Sequence, residues 1–139
     1  MFNMGYEIEK SKIMIVEDEA IAALDIQIML EELGYNTTDP IPTGEEAIAK
    51  INELNPDLVL MDISLDGLFN GIETAEKIKN AHHLPVVFLT AHADLSTMKD
   101  ADRIKPYGYL IKPVNKNDLR LTISSALQRA KIEKSKKNE

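Results

Sequence analysis

The chain has 139 residues, 44% of them hydrophobic, which supplies the core of one domain. It contains no cysteine, so disulfides, thiolate metal sites and thiol catalysis are excluded. Sixteen Lys and Arg against 23 Asp and Glu give a net charge of -7, with seven basic and three acidic residues from Asn115 onward, leaving a tail at +4 and a body at -11. An acidic body argues against direct nucleic-acid binding, where Lys and Arg neutralise phosphates.

The polar, aperiodic residues 1–11 read as a flexible leader without a signal-peptide pattern, and no apolar run approaches the ~18 residues of a membrane span. A cytoplasmic location is expected. Lys12 to Glu17 forms an apolar run ending in Glu17, Asp18 and Glu19, which predicts a buried strand with acids at its C-terminal end. A helix from about Glu19 to Leu33 follows, closed by Gly34. At about 100° per residue, Ala22, Ile26, Met29, Leu30 and Leu33 share one face, expected to meet the sheet. Ile21, Leu24 and Ile28 gather on another, and that second apolar stripe needs a neighbouring helix, the leader or another protein to cover it.

Tyr35 to Ile41 reads as a weak edge strand, because Pro40 and Pro42 remove ladder donors. Thr43 followed by Glu46 predicts a capping box, opening a helix that buries Ala47, Ile48, Ile51 and Leu54. The Asn55-Pro56-Asp57 turn feeds Leu58 to Met61, a strand buried on both faces that delivers Asp62 at its C-terminal end. In open α/β sheets that edge is where ligands bind.

The turn-rich stretch from Ser64 to Gly71 leads into a helix with Ile72, Ala75 and Ile78 inward, broken at His82-His83-Leu84-Pro85, where both histidines are expected in a solvated turn. Pro85 to Thr90 is another apolar strand, ending in a hydroxyl. A polar helix from about Asp94 to Ile104 stops at Pro106. Tyr107 to Ile111 is the last strand, with Lys112-Pro113 at its end. Asn115 caps a final helix whose Leu119, Ile123, Ala126, Leu127 and Ala130 form one stripe; beyond Ile132 it is too polar to pack, and its basic end reads as a solvated helix terminus. The domain is thus expected over 12–132, with a polar tail over 133–139. Strand and helix alternate five times, a (βα)5 pattern that predicts an α/β fold with a parallel sheet between two helical layers.

In such a sheet Glu17, Asp18, Asp62, Thr90 and Lys112 converge on one edge. Clustered carboxylates repel unless a cation lies among them, and an all-oxygen set in an open crevice suits Mg2+ or Mn2+. A carboxylate nucleophile, a metal, a lysine ammonium and a threonine hydroxyl match the needs of a phosphoryl group in transfer. A phosphatase using an Asp nucleophile is disfavoured, because the residue two beyond Asp62 is Ser64 rather than a second acid.

Glu17-Asp18, Asp62, Leu89-Thr90-Ala91 and Tyr109-Leu-Ile-Lys112-Pro113 after successive strands resemble the receiver domain of two-component response regulators, over roughly Lys12 to Arg129. The resemblance implies a flavodoxin-like three-layer sandwich of sheet order 2-1-3-4-5. It implies that Asp62 accepts a phosphoryl group from a sensor histidine kinase or histidine phosphotransfer protein. Asp18 and Asp62 would ligate Mg2+ directly, Glu17 through water, and the Ser64 carbonyl would complete the site. Lys112 would pair with the phosphoryl group, Thr90 would move to bond it, and Tyr109 would act as the switch aromatic. Ser64 and His92 fall where the family tunes phosphoryl lifetime, with His92 expected over the entry path. The loop after Asp62 departs from the family's commonest form: it lacks Met-Pro and is about a residue longer. Ile21, Leu24 and Ile28 match the side of the first helix where kinase helices dock.

These readings imply a phosphoacceptor that catalyses its own phosphorylation and hydrolysis rather than acting on an external substrate. The alternative is a pseudo-receiver of the same fold that serves as a protein-interaction module without turning over phosphate. No helix-turn-helix follows the last predicted helix. The chain is therefore expected to be a stand-alone receiver or a fragment, its downstream partner or output domain lies outside it, and a homodimer is allowed.

Overall fold

The computed structural model describes residues 11–91 and 97–137. Strands β1 (Lys12–Val16), β2 (Asn36–Thr37), β3 (Leu58–Asp62), β4 (Val86–Thr90) and β5 (Gly108–Ile111) form one sheet in the order β2-β1-β3-β4-β5. Every pairing is parallel, with Val16 beside Met61, Asp62 beside Leu89 and Thr90 beside Ile111. Helices α1 (Ala20–Glu32), α2 (Gly44–Leu54), α3 (Gly71–His82), α4 (Met98–Arg103) and α5 (Lys116–Lys137) connect and flank the strands. This is the flavodoxin-like α/β sandwich of three layers.

Successive side chains of a strand point to opposite faces, and the core divides accordingly. Ile13, Ile15, Leu58, Leu60, Val87 and Leu89 pack with Ala23, Ile26 and Leu30 of α1 and Leu119, Ile123 and Ala126 of α5. Met14, Val16, Val59, Met61 and Phe88 pack with Ala47 and Ile51 of α2, Ala75 and Ile78 of α3, and Ala101 of α4. Because β1, β3 and β4 are covered on both sides, their sequences are unbroken apolar runs, and polar residues enter only at their ends.

Several expectations need adjustment. The weak second strand shrinks to two residues and ends early, Ile41 returning as an isolated bridge to Val16. On α1 the fully buried set is Ala23, Ile26 and Leu30, spaced i, i+3, i+7, and Ala22 is only half-buried. Thr43 caps α2 by accepting the Glu46 N–H at 3.2 Å, but the Glu46 carboxylate swings to Lys50 at 2.9 Å instead of closing a capping box. A complete box instead opens α3, where Asn70 and Glu73 exchange bonds of 2.8 and 3.0 Å. Helix α4 is described only from Met98, so the expected start near Asp94 lies outside the described residues, as does the leader over 1–10. Asn115 accepts the Asp118 N–H at 2.8 Å and starts α5 as expected, and the last described turns of that helix are exposed.

Candidate functional site

The parallel register brings the C-terminal ends of β1, β3, β4 and β5 together. Glu17 follows β1, Asp62 and Thr90 end β3 and β4, and all three are about 2% exposed; Asp18 is exposed. One oxygen from each of Glu17, Asp18 and Asp62 lies within 4.8 Å of the others. Lys112, just past β5 and joined to Pro113 by a cis peptide bond, reaches into this group. Its Nζ is 2.9 Å from Glu17 Oε1, 3.2 Å from Glu19 Oε1 and 3.4 Å from Asp62 Oδ2. Ser64 donates its backbone N–H at 3.0 Å and its hydroxyl at 3.1 Å to Asp62 Oδ1, which fixes the carboxylate plane. The Thr90 hydroxyl donates to the Ala91 carbonyl at 3.2 Å.

Electrostatics follow from this crowding. Burial raises Glu17 from 4.5 to about 7; the Glu19 N–H and Lys112 act against that rise, and Asp62 adds to it. Burial alone would lower Lys112, but its bond to Glu17 and the charges of Asp62 and Glu17 outweigh it and hold the ammonium above its usual range. Among the described residues the site thus holds one ammonium among four carboxylates, with excess negative charge at the carboxyl edge of the sheet.

The residues present fit a hard divalent cation. The donors are all oxygens, two of the three carboxylates are buried, and Glu17 is pushed toward neutrality chiefly by burial, with the Asp62 charge adding to the rise.

The backbone around Asp62 is packed closely. A Cβ on Gly71 would lie 2.0 Å from the Asp62 carbonyl oxygen and 2.8 Å from Ile63 Cα, so only glycine lets α3 start against the end of β3. The intervening loop turns through Gly67 at φ +112° and accepts support from α2, where Glu45 Oε1 receives the Phe69 N–H at 3.3 Å.

Tyr109 is half-buried, stacked on Phe88 with ring centroids 6.1 Å apart, and its hydroxyl donates to Asp102 of α4. Burial and Asp102 together hold the phenol above its usual range. Ile21, Leu24 and Ile28 are exposed on α1, Ile21 to 86%, so among the described residues nothing covers that stripe. The exposed His83 caps α3 in the left-handed region at φ 57°, in the solvated turn expected of it, whereas His82 is the half-buried last residue of the helix and not part of the turn. His92 lies outside the described residues.

Sequence reading missed three site contacts. Glu19 is a third partner of Lys112, Glu45 holds the loop after Asp62, and Asp102 anchors Tyr109. Glu19 was visible as part of the acidic run. The other two had no signal, because each is an ordinary helix-surface acid whose importance comes from packing.

The sheet order, with acidic residues gathered at its carboxyl edge, defines a flavodoxin-like α/β domain. The family model for the response regulator receiver domain matches residues 13–124. The chain belongs to that family. It is similar to the transcriptional regulatory protein PdtaR of Mycobacterium tuberculosis, 33% identical over 118 residues, covering 85% of this chain and 57% of the relative. It is likewise similar to the luminescence regulatory protein LuxO of Vibrio campbellii, 33% identical over 117 residues, covering 84% of this chain and 25% of that protein. The chain therefore spans between a quarter and somewhat over half the length of these curated relatives. Among solved structures, the signal receiver domain of a modulated diguanylate cyclase from Desulfovibrio desulfuricans G20 superposes with a TM-score of 0.85 at 38% identity, covering 90% of this chain and 99% of that one. No helix among the described residues is long and apolar enough to cross a membrane.

Proposed function

We propose that this receiver is an active phosphoacceptor: Asp62 takes a phosphoryl group from a phosphohistidine on a sensor kinase or phosphotransfer protein, with Mg2+ as the cofactor. The observation that carries the reading is the convergence of the Asp62 carboxylate with Glu17, Asp18 and the Lys112 ammonium at the sheet edge. Asp18 and Asp62 would hold the metal, with Glu17 through water and the Ser64 carbonyl completing the set. When bound, the metal neutralises phosphoryl oxygens and lets an anionic donor approach this acidic cleft.

The chain's own residues do the rest. Ser64 holds the Asp62 carboxylate through two bonds to Oδ1, so the nucleophile is aimed before the donor arrives. An Asp62 oxygen bonds to phosphorus as the P–N bond breaks and the imidazole nitrogen leaves with its electron pair. Lys112 exchanges a carboxylate partner for a phosphoryl oxygen, and the Thr90 hydroxyl turns from the Ala91 carbonyl to donate to another. Tyr109 then leaves Asp102 and turns inward, which remodels the surface formed by α4 and β5; the switch is a local charge event biasing a two-state element. Ser64 and His92 tune how long the phosphoryl group survives, and Ile21, Leu24 and Ile28 form the docking face for the phosphodonor.

A pseudo-receiver acting only as an interaction module is the less favoured reading, since Asp18, Asp62, Thr90 and Lys112 are all present. The test is intact-mass analysis after treatment with acetyl phosphate and Mg2+. A gain of one phosphoryl group, lost in Asp62→Asn and in EDTA, is expected. An unchanged mass for the wild-type chain under conditions where it remains folded would favour the interaction module.

A further inference from the structure

The loop from Ser64 to Asn70 joins the end of β3 to α3, and its first residue touches Asp62 directly. Its two ends are fixed by local contacts. Ser64 bonds Asp62 at one end, and at the other Asn70 caps α3 while its carbonyl accepts the Thr74 hydroxyl at 2.7 Å. Between them the loop makes a left-handed turn at Gly67 and exposes Asp66 and Leu68. Leu65 is buried in the core and Lys77 of α3 lies over the Phe69 ring at 4.7 Å, while the backbone of the 67–69 stretch is held from α2 by the Glu45 carboxylate.

Three observations single out Glu45. It accepts the Phe69 N–H at 3.3 Å, across 24 residues of sequence. It lies directly over Gly67, where an added Cβ would meet Glu45 Oε1 at 3.2 Å and Oε2 at 3.3 Å, so carboxylate and glycine backbone are in close apposition. Glu45 also belongs to the first turn of α2, and that turn is seated against α3. A Cβ on the adjacent Gly44 would strike Thr74 Oγ1 at 2.0 Å, so the two helix starts meet at a residue that admits no side chain. Among the described residues no Lys or Arg pairs with Glu45; its neighbour Glu46 takes Lys50 instead. The Glu45 carboxylate thus accepts from the loop backbone and not from a basic side chain.

We propose that Glu45 is a positioning residue for the phosphoacceptor site: by holding the 67–69 backbone against α2, it sets the conformation of the loop and, through it, the Ser64 backbone beside Asp62. This rests on the reading of Asp62, Asp18 and the Ser64 carbonyl as the Mg2+ site. A metal cares about ligand placement to a fraction of an ångström, and residues that only orient ligands control affinity through that placement. Leu65 anchors the loop in the core, but Asp66 to Leu68 are exposed and include Gly67, so without the Glu45 contact the 67–69 backbone samples more conformations and the Ser64 carbonyl is in register for a smaller share of the time.

The experiment compares Glu45→Ala and Glu45→Gln with the wild-type chain. Amide hydrogen exchange at Phe69 is measured in EDTA, and Mg2+ binding is followed by NMR titration of the backbone amides. Glu45→Ala is expected to speed Phe69 exchange and to weaken Mg2+ about tenfold, the low end for loss of a supporting contact. Glu45→Gln keeps an oxygen acceptor and is expected to restore most of both. At saturating Mg2+ both variants are expected to take one phosphoryl group from acetyl phosphate. If Glu45→Ala frees the Phe69 N–H while Mg2+ affinity stays within about twofold of wild type, well below the usual effect of a supporting contact, the proposal is overturned. It is overturned equally if Glu45→Gln weakens Mg2+ as much as Glu45→Ala, because the carboxylate then acts by charge and not by holding the loop. Failure of the wild-type chain to bind Mg2+ or accept phosphate marks failure of the underlying functional reading instead.

Discussion

Replacing Lys112 by Met removes the one cation of the acidic cleft while keeping a side chain of similar length. Lys112 Nζ is 2.9 Å from Glu17, whose carboxylate has no exposed surface, and the lysine side chain itself is 17% exposed. At an effective dielectric near 20 that contact alone is worth about 6 kcal/mol in gross Coulomb terms, which the lysine's own desolvation partly offsets. Removing one partner of a buried pair costs about 3–5 kcal/mol, and the residual exposure of Lys112 argues for about 3 kcal/mol. The cost depends on pH. Glu17, already raised to about 7, goes higher without Lys112 and takes up a proton as pH falls, which caps the penalty in mild acid. Urea unfolding at pH 8 in EDTA should therefore show Lys112→Met destabilised by about 3 kcal/mol, with a smaller loss below pH 6. Saturating Mg2+ should stabilise the variant more than the wild type, because a bound cation relieves repulsion that Lys112 no longer screens. If the variant unfolds within about 0.5 kcal/mol of wild type in EDTA, the scatter of an ordinary surface change, and gains no extra stability from Mg2+, then Lys112 is not what holds the acidic cluster together.

Three further outcomes follow from the same geometry. Glu17 titrates at about 7 in the fold against 4.5 for an unperturbed group. Metal-free protein should therefore lose stability as pH rises from about 4.5 through 7, since the native state binds the extra proton in that window; the difference between wild type and Glu17→Gln in urea melts isolates this contribution. Gly71→Ala places a methyl 2.0 Å from the Asp62 carbonyl oxygen, so it should cost about 1–3 kcal/mol or more in denaturant unfolding and slow phosphorylation by acetyl phosphate, because either α3 or the end of β3 must move. Ile21→Glu with Ile28→Glu, both at exposed positions, should leave folding and acetyl-phosphate labelling intact while slowing transfer from the cognate phosphodonor protein about tenfold, equivalent to about 1.4 kcal/mol of docking energy; an unchanged transfer rate would assign the stripe another purpose.

Much of the fold was legible because the sheet is buried on both faces. The runs Ile13 to Val16, Leu58 to Met61 and Val86 to Leu89 are apolar without interruption, as a parallel sheet covered on both faces requires. The gathering of Glu17, Asp18, Asp62, Thr90 and Lys112 was legible for a related reason: each lies at or within two residues past the C-terminal end of a strand, and parallel strands end on one edge. Local choices among competing partners were harder to read. Thr43 and Glu46 have the spacing of a capping box, but Lys50 one turn on offers Glu46 a charged partner, and the box is left half-made. Asn70 and Glu73 have equivalent spacing and close the box, while Lys77, one turn on from Glu73, lies over the Phe69 ring.

Contacts made across the fold left no trace in the sequence. Glu45 and Phe69, or Tyr109 and Asp102, meet only once α2, α3, α4 and β5 have packed, and neither acid differs in its local sequence from its solvated neighbours. The second stripe of α1 shows the opposite case. Its three exposed hydrophobic residues were legible from periodicity alone, and they remain uncovered after the described residues have folded.

The central claim is that Asp62 is the nucleophile. Acetyl phosphate and Mg2+ are added to the protein, the product is reduced with borohydride, which converts an aspartyl phosphate to homoserine, and the peptides are sequenced by mass spectrometry. The account predicts homoserine at position 62 alone, dependent on Mg2+ and absent without phosphodonor. Homoserine at Asp18, reduction to the corresponding alcohol at Glu17, or no conversion at any carboxylate of a folded, Mg2+-saturated chain would contradict it.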